Sequence, residues 1–470
     1  MNKKAEFTTK HINASTIILG FTGPIGGGST YISKGINKEY SKYKYYKLSD
    51  VIRESLKNKG NTTPTVNELQ TEGDELRKKH GSSCLIKKLL EKIESDAQIE
   101  TINGIVIDGI KNEGEVKTLR EFPYFFLFSV HADQSIREKR CTDENRFESS
   151  DLFFQADKRD QEEELEYGQQ VKLCNELSDV IIINNETIPK ANIRKKSRFI
   201  HEIYDDYIKV IENLREGKET PDRIPSVDEL CMAMAYTLTK RSSCIKRKVG
   251  AIIIDTCVPL EEFDKINQDD RAMHPPQVVA SGYNEVPIGS YPCRYEPSIE
   301  KCYRDSLQEI HATKFNYCPS CGKKIDIEVE CYRCNKKYKK YLKYCTNCNS
   351  EITSPIICKK CKTDIFKEFL PGSKETPGKL LDMCRALHAE ENALLTLLNT
   401  NRRVIGDLVL YVTTQPCNLC ANKIVSAGIK RVCFAEPYLM KESADILKKG
   451  KVDLKRFQGV KSSAYFKFYR

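Results

Sequence analysis

No apolar run in this chain approaches the ~18 residues that a membrane-spanning helix requires. The longest, such as Ile17-Ile18-Leu19 and Ile252-Ile253-Ile254, are strand-sized. A transmembrane protein is therefore not expected. The opening MNKKAEFTTKHINAS lacks the apolar stretch of a secretory signal, so the expected location is cytoplasmic. The composition of a disordered chain is missing too, since 40% of residues are hydrophobic and 30% charged. At roughly 150 residues per domain, 470 residues make about three domains rather than one core.

Cysteine, by contrast, is abundant. In a reducing compartment twenty cysteines call for metal sites or catalysis rather than disulfides. Eight form four C-x-x-C pairs (Cys318/Cys321, Cys331/Cys334, Cys345/Cys348 and Cys358/Cys361), and a fifth pair is Cys417/Cys420. Zinc is the expected metal. The formal charge of +10 is uneven: residues 311–362 hold 12 Lys/Arg against 4 Asp/Glu. Each four-thiolate zinc unit would carry about two negative charges, which would roughly halve that surplus.

Periodicity divides the chain. After a polar tail (1–14), the apolar segments 15–24, 102–110, 122–130 and 179–184 read as buried strands. Helical spacing lies between them in YISKGINKEY, around Val51–Lys59 and from Val66 to Glu94. Strands alternating with helices predict a parallel sheet covered on both faces, over 15–196. Phe199, Ile200, Ile203, Tyr204, Tyr207, Ile208, Ile211 and Leu214 mark an amphipathic helix over 197–215, and EGKETPDRIPS is a linker ending at 226. A second α/β domain is expected over 227–470, interrupted by a Cys-rich insertion at about 311–365.

Two motifs in the second domain carry chemistry. His388-Ala389-Glu390 precedes a helix, and Pro416-Cys417-Asn418-Leu419-Cys420 starts the next, 29 residues on from His388 to Cys417. Together they form the H-x-E…P-C-x-x-C signature of zinc-dependent deaminases. One imidazole and two thiolates leave the fourth position of a tetrahedral zinc open for a water whose pKa the metal lowers. Glu390 is the proton shuttle, from water to the pyrimidine nitrogen and on to the departing amine.

Residues 227–293 and 379–436, through RSSCIKRKVGAIII, ASGYNEVPIG, HAEENAL and LYVTTQPCNLCANKIVSAGIKRVCF, resemble the deoxycytidylate-deaminase branch of the cytidine-deaminase fold. The resemblance implies that Asn284, in the G-Y-N motif, contacts the nucleotide. It also implies a structural zinc whose first two ligands match Cys244 and Cys293, with Cys384 and either Cys302 or His311 as further candidates. The chain departs from the pattern at Gln415, where an aromatic residue often precedes P-C.

The first domain opens with Gly23-Pro-Ile-Gly26-Gly27-Gly28-Ser29-Thr30, between a strand and a helix. That is the context of a phosphate-binding loop, in which backbone N–H groups and the helix dipole cradle phosphates. Ser29 stands where the loop's lysine belongs, so nucleotide binding is expected and efficient phosphoryl transfer is not. Asp108, ending a strand, sits where an acid organising Mg2+ would lie. KLSDVIRESL, TEGDELRKKHG, VIDGIKNEGEV and DQSIREKR resemble nucleoside-monophosphate and dephospho-coenzyme A kinases. A bound nucleoside triphosphate with Mg2+ is the expected ligand.

In combination the two domains resemble bacterial anti-phage dCTP deaminases, most specifically through FFQADKRDQEEELEYGQQVKLCNELSD and GKLLDMCRALHAEENALL. The resemblance implies deamination of dCTP and dCMP, draining the deoxycytidine pool that phage replication needs. Each half of the insert has C-x2-C-x9-C-x2-C spacing, a zinc-ribbon signal, with knuckles paired within or between halves. It serves as a structural brace or oligomer contact, or as a strand-binding surface in which tyrosines interleave with lysines from Tyr317 to Tyr344. Expected partners are free deoxycytidine nucleotides and further copies of the chain, with an RNA or protein regulator as a candidate. The competing reading is a nucleic-acid cytidine deaminase that holds a strand with the insert. A third, an active kinase with a deaminase-like sensor, is disfavoured by the intact Glu390 and zinc ligands.

Overall fold

The computed structural model describes residues 12–99, 102–162, 167–185, 193–218, 224–265, 276–295, 302, 329–330, 334, 336–338, 384–400, 403–437 and 441–469. Two compact units divide the chain: Met1–Thr237 with Ile252–Val279 and Arg402–Arg470, and Leu238–Ala251 with Ala280–Asn401. The architecture is mixed α/β with parallel sheets, as the alternation of strand and helix patterns predicts.

The larger unit is organised by two sheets. In the first, β1 (Ile17–Thr22), β2 (Tyr43–Lys47), β3 (Gly104–Asp108), β4 (Phe125–His131) and β5 (Val180–Ile183) run parallel in the order β5-β4-β1-β3-β2. All six residues of β1 are buried, which is what a central strand covered on both faces requires. Its side chains alternate between two cores. Ile17, Leu19 and Phe21 face Ile32 and Ile36 of helix α1 (Ser29–Glu39) and the helical run from Ile193 to Arg215. Ile18 faces the helices Leu48–Asn58 and Cys84–Ala97.

Three features differ from the sequence expectation. The helical pattern from Val66 to Glu94 is two helices, Val66–His80 and Cys84–Ala97, because Gly81 takes a φ of 93° that ends the first. The helix over 197–215 is present but contains a π-helical turn at Tyr204–Ile208. The third concerns the domain assigned to 227–470. Gly459–Val460 pairs antiparallel with β5 and becomes the sixth strand of the first sheet, and Val460, Ala464 and Phe468 join that sheet's core.

The second sheet has the order β10-β9-β8-β6-β7, from β6 (Gly250–Asp255), β7 (Gln277–Tyr283), β8 (Leu408–Thr414), β9 (Arg431–Glu436) and β10 (Asp453–Arg456). β8, β9 and β10 are parallel neighbours. Helix α3 (Asn418–Ser426) connects β8 to β9. The smaller unit holds the loop 242–249, the turn after β7 and helix α2 (Ala389–Leu398). It also holds a two-residue antiparallel pair, Val329–Glu330 with Lys337–Tyr338.

Candidate zinc and phosphate sites

Both halves of the deaminase signature lie at helix N-termini. His388 is the N-cap of α2, with extended backbone, and its N–H donates to Glu391 at 3.4 Å. Glu390 follows in the first turn and is buried, 4% exposed. β8, buried throughout, delivers the chain to Gln415 and Pro416. The Gln415 N–H donates to the Glu436 carbonyl at 2.8 Å, and Ser443 Oγ donates to the Pro416 carbonyl at 2.6 Å. Cys417 then caps α3 and Cys420 sits in its first turn, both buried. The partial positive charge of a helix N-terminus favours the thiolate forms there.

One ligand atom from each of His388, Cys417 and Cys420 lies within 4.8 Å of the other two. A single imidazole with two thiolates is a zinc donor set, and three protein ligands leave a coordination position open. These residues therefore fit the metal that the signature implies. Among the described residues, this is the group of three or more His, Cys, Asp or Glu so assembled. Cys293 and Cys302 are buried, and Cys244 and Cys384 half-buried. Of the insert cysteines, Cys334 is described and half-buried, next to the short antiparallel pair. Cys318, Cys321, Cys331, Cys345, Cys348, Cys358 and Cys361, with the alternative ligand His311, lie outside the described residues.

Asn284 is a structural hub of its unit. Its Oδ1 accepts from Ser242 Oγ at 2.8 Å and from the Val249 N–H at 2.7 Å, and its Nδ2 donates to the Arg247 carbonyl at 2.8 Å. These bonds fix the loop 242–249. Ser242, which the sequence reading missed, donates to the Asn284 carbonyl as well.

The Gly-rich loop runs from the end of β1 into α1. Three successive carbonyls are held from outside: Ile25 by Arg137 Nη1 at 3.0 Å, Gly26 by Arg140 Nη1 at 3.3 Å and Gly27 by Asn184 Nδ2 at 3.1 Å. Arg137 is itself anchored by Asp157, at 2.5 and 2.9 Å. Burial lowers the pKa of Arg140. Within the loop the Gly27 N–H donates to the Pro24 carbonyl at 2.9 Å. Gly28 caps α1 in the left-handed region, φ 99°, and a Cβ there would lie 2.1 Å from Asn184 Nδ2. Ser29 and Thr30 open the helix. Thr30 Oγ1 donates to Asp108 Oδ2 at 2.6 Å and the Tyr45 hydroxyl donates to the same oxygen at 3.1 Å, while buried Asp108 Oδ1 accepts no hydrogen bond. The structure joins Thr30 to Asp108. It also adds Arg137, Arg140, Asn184 and Tyr45, whose roles depend on tertiary contacts and leave no spacing signal.

Comparison with known proteins gives each half of the molecule a relative. Deoxycytidylate deaminase of Schizosaccharomyces pombe is 27% identical over 239 residues, 50% of this chain and 46% of that protein. The UPF0200 protein of Staphylothermus marinus is 28% identical over 180 residues, 37% of this chain and 89% of that one. A crystal structure of dCMP deaminase from the cyanophage S-TIM5 in complex with dCMP and dUMP is similar at 18% identity and a TM-score of 0.25, covering 50% of this chain and 100% of that one. The chain spans about half the length of the yeast deaminases it matches. Residues 225–436, which contain His388, Glu390, Cys417 and Cys420, match the family model of the cytidine and deoxycytidylate deaminase zinc-binding region.

Proposed function

We propose that this chain hydrolytically deaminates deoxycytidine nucleotides, dCTP to dUTP and dCMP to dUMP, with release of ammonia, and that it serves to deplete dCTP during phage infection. The observation that carries the reading is the His388, Cys417 and Cys420 cluster. It accompanies a buried Glu390 inside the segment that matches the deaminase zinc-binding model. Zinc held by these three side chains would supply a water of lowered pKa. The Glu390 carboxylate takes a proton from the water that adds at C4 and gives it to ring nitrogen N3. It then carries the second proton to the exocyclic amine, which leaves as ammonia when the C–N bond breaks. Burial keeps that carboxylate out of bulk solvent while it handles the proton. The inclusion of dCTP as a substrate and the role in defence rest on the resemblance of residues 153–179 and 378–395 to anti-phage dCTP deaminases. The loop Gly23–Thr30 binds a nucleoside triphosphate with Mg2+ that regulates the deaminase, a reading supported by its outward-held carbonyls and the Thr30–Asp108 pair.

The test is ammonia release and uracil product from dCTP, dCMP, CTP, CMP and single-stranded DNA, with Glu390→Ala as control. Turnover of dCTP and dCMP by the wild type, abolished in Glu390→Ala with zinc retained, supports the proposal. Activity on the strand alone would favour a nucleic-acid deaminase, and undiminished turnover in Glu390→Ala would overturn the role given to that residue.

A further inference from the structure

We propose that Lys47 supplies the phosphate-binding ammonium that the Gly-rich loop lacks at position 29. The inference rests on the reading that Gly23–Thr30 binds a nucleotide, and it names the cation of that site. A loop built from backbone N–H groups and a helix dipole offers partial charges, whereas a triphosphate with Mg2+ still carries net negative charge, which a full cation nearby offsets. Ser29 offers none.

Lys47 is the last residue of β2, in register with Asp108 of β3, which holds Thr30 of the loop. Alternate residues of a strand share a face. Tyr43 packs with Ile32 and Ile36 of α1, and Tyr45 reaches Asp108 by its hydroxyl. Lys47, two residues on and still extended, therefore belongs to the face that carries α1 and the loop. It is half-buried and has no hydrogen bond or ion pair among the described residues. A half-buried lysine with no partner is costly unless something else meets it. Burial lowers its pKa, Asp108 and Asp50 act against that, and Arg146 and Arg53 add to the lowering. Two features beside the loop thus lack partners at once: an ammonium, and the buried Oδ1 of Asp108. A phosphate with its Mg2+ would satisfy both, the phosphate oxygens accepting from Lys47 and the metal facing the carboxylate.

The experiment is calorimetric titration of the full-length protein with ATP, GTP and dATP in the presence of Mg2+, for wild type, Lys47→Met, Ser29→Lys and the double variant. Lys47→Met is expected to weaken binding at least tenfold, and Ser29→Lys to restore most of that loss in the Lys47→Met background. Added to the wild type, Ser29→Lys is expected to gain much less, because one site does not need two such cations. Lys47→Gln replaces Lys47→Met if circular dichroism shows the latter unfolded. Binding by Lys47→Met within twofold of wild type, or an equal gain from Ser29→Lys in both backgrounds, overturns the assignment of Lys47 while the nucleotide-binding reading stands. No binding of any of the three by the wild type at millimolar concentration overturns both.

Discussion

Replacing Glu229 by alanine should destabilise the larger unit by about 3–5 kcal/mol. Glu229 is 2% exposed, in the first turn of the helix Val227–Leu238. Its Oε1 accepts from the Val460 N–H at 2.8 Å, and its Oε2 accepts from the Tyr469 hydroxyl at 2.6 Å and the Ser226 N–H at 3.0 Å. In return its own N–H donates to Ser226 Oγ at 3.2 Å, a capping box. Truncation removes the acceptor of three donors: Val460 and Tyr469, at about 1–3 kcal/mol each, and Ser226, whose lost cap contributes about 1 kcal/mol. Relaxation keeps the total below the sum of the upper limits. Glu229→Gln should cost less, because its amide still accepts at one oxygen while the NH2 opposes another donor. Urea unfolding followed by far-ultraviolet circular dichroism measures the change, with exposed Glu262→Ala as a control expected within about 0.5 kcal/mol of wild type. A loss below about 1 kcal/mol for Glu229→Ala would mean that these bonds do not anchor the 459–469 segment, and the reasoning would fail.

Cys420→Ser should remove one zinc ion relative to wild type, which is expected to hold about three to four by elemental analysis; a single zinc in a fully active wild-type chain would refute the ribbon expectation. Gly28→Ala should cost about 1–3 kcal/mol through its positive φ and its clash with Asn184, and should weaken nucleotide binding while the zinc content stays unchanged; unaltered binding would refute the loop's role. His131 should make stability fall with acid. Burial, then the charges of Arg456, Arg137 and Lys461, hold its pKa well below the ordinary 6.5. The unfolded chain therefore takes up a proton below pH 6.5 that the folded chain refuses. The stability it contributes is fully present above that pH and is lost as pH falls toward the folded pKa, by up to about 1.4 kcal/mol per pH unit. Urea midpoints between pH 7 and 5.5 should fall less steeply in His131→Gln, and equal slopes would refute the assignment.

Elements with a strong local signal are legible in the sequence. IILGFT is apolar at nearly every position and is a fully buried strand, and the two halves of the zinc signature land at helix N-termini as their spacing requires. β2 was missed because YKYYK mixes tyrosine with lysine and has no aliphatic residue, although lysine's long stem can cover apolar surface while the charge stays wet. A two-residue strand such as Gly459–Val460 has no periodicity to read; its pairing exists only through β5. The Gly-rich loop was recognised from glycine spacing, but the side chains that orient its carbonyls lie more than 100 residues away. Asn284 was reached through a resemblance, and its hold on the loop 242–249 through contacts that no motif records.

The late strand that completes the first sheet has a consequence for how the protein is made. Ile183 accepts no permanent neighbour on its outer side until Gln458 arrives, 275 residues later, to take its N–H. While the ribosome is producing everything in between, β5 is an open sheet edge, the kind of surface that templates pairing with other chains. The phosphate-loop half is synthesised first but matures last, after the zinc-binding half has emerged and returned Val460, Ala464 and Phe468 to it. A premature stop before residue 459 would leave that edge of β5 without its strand partner.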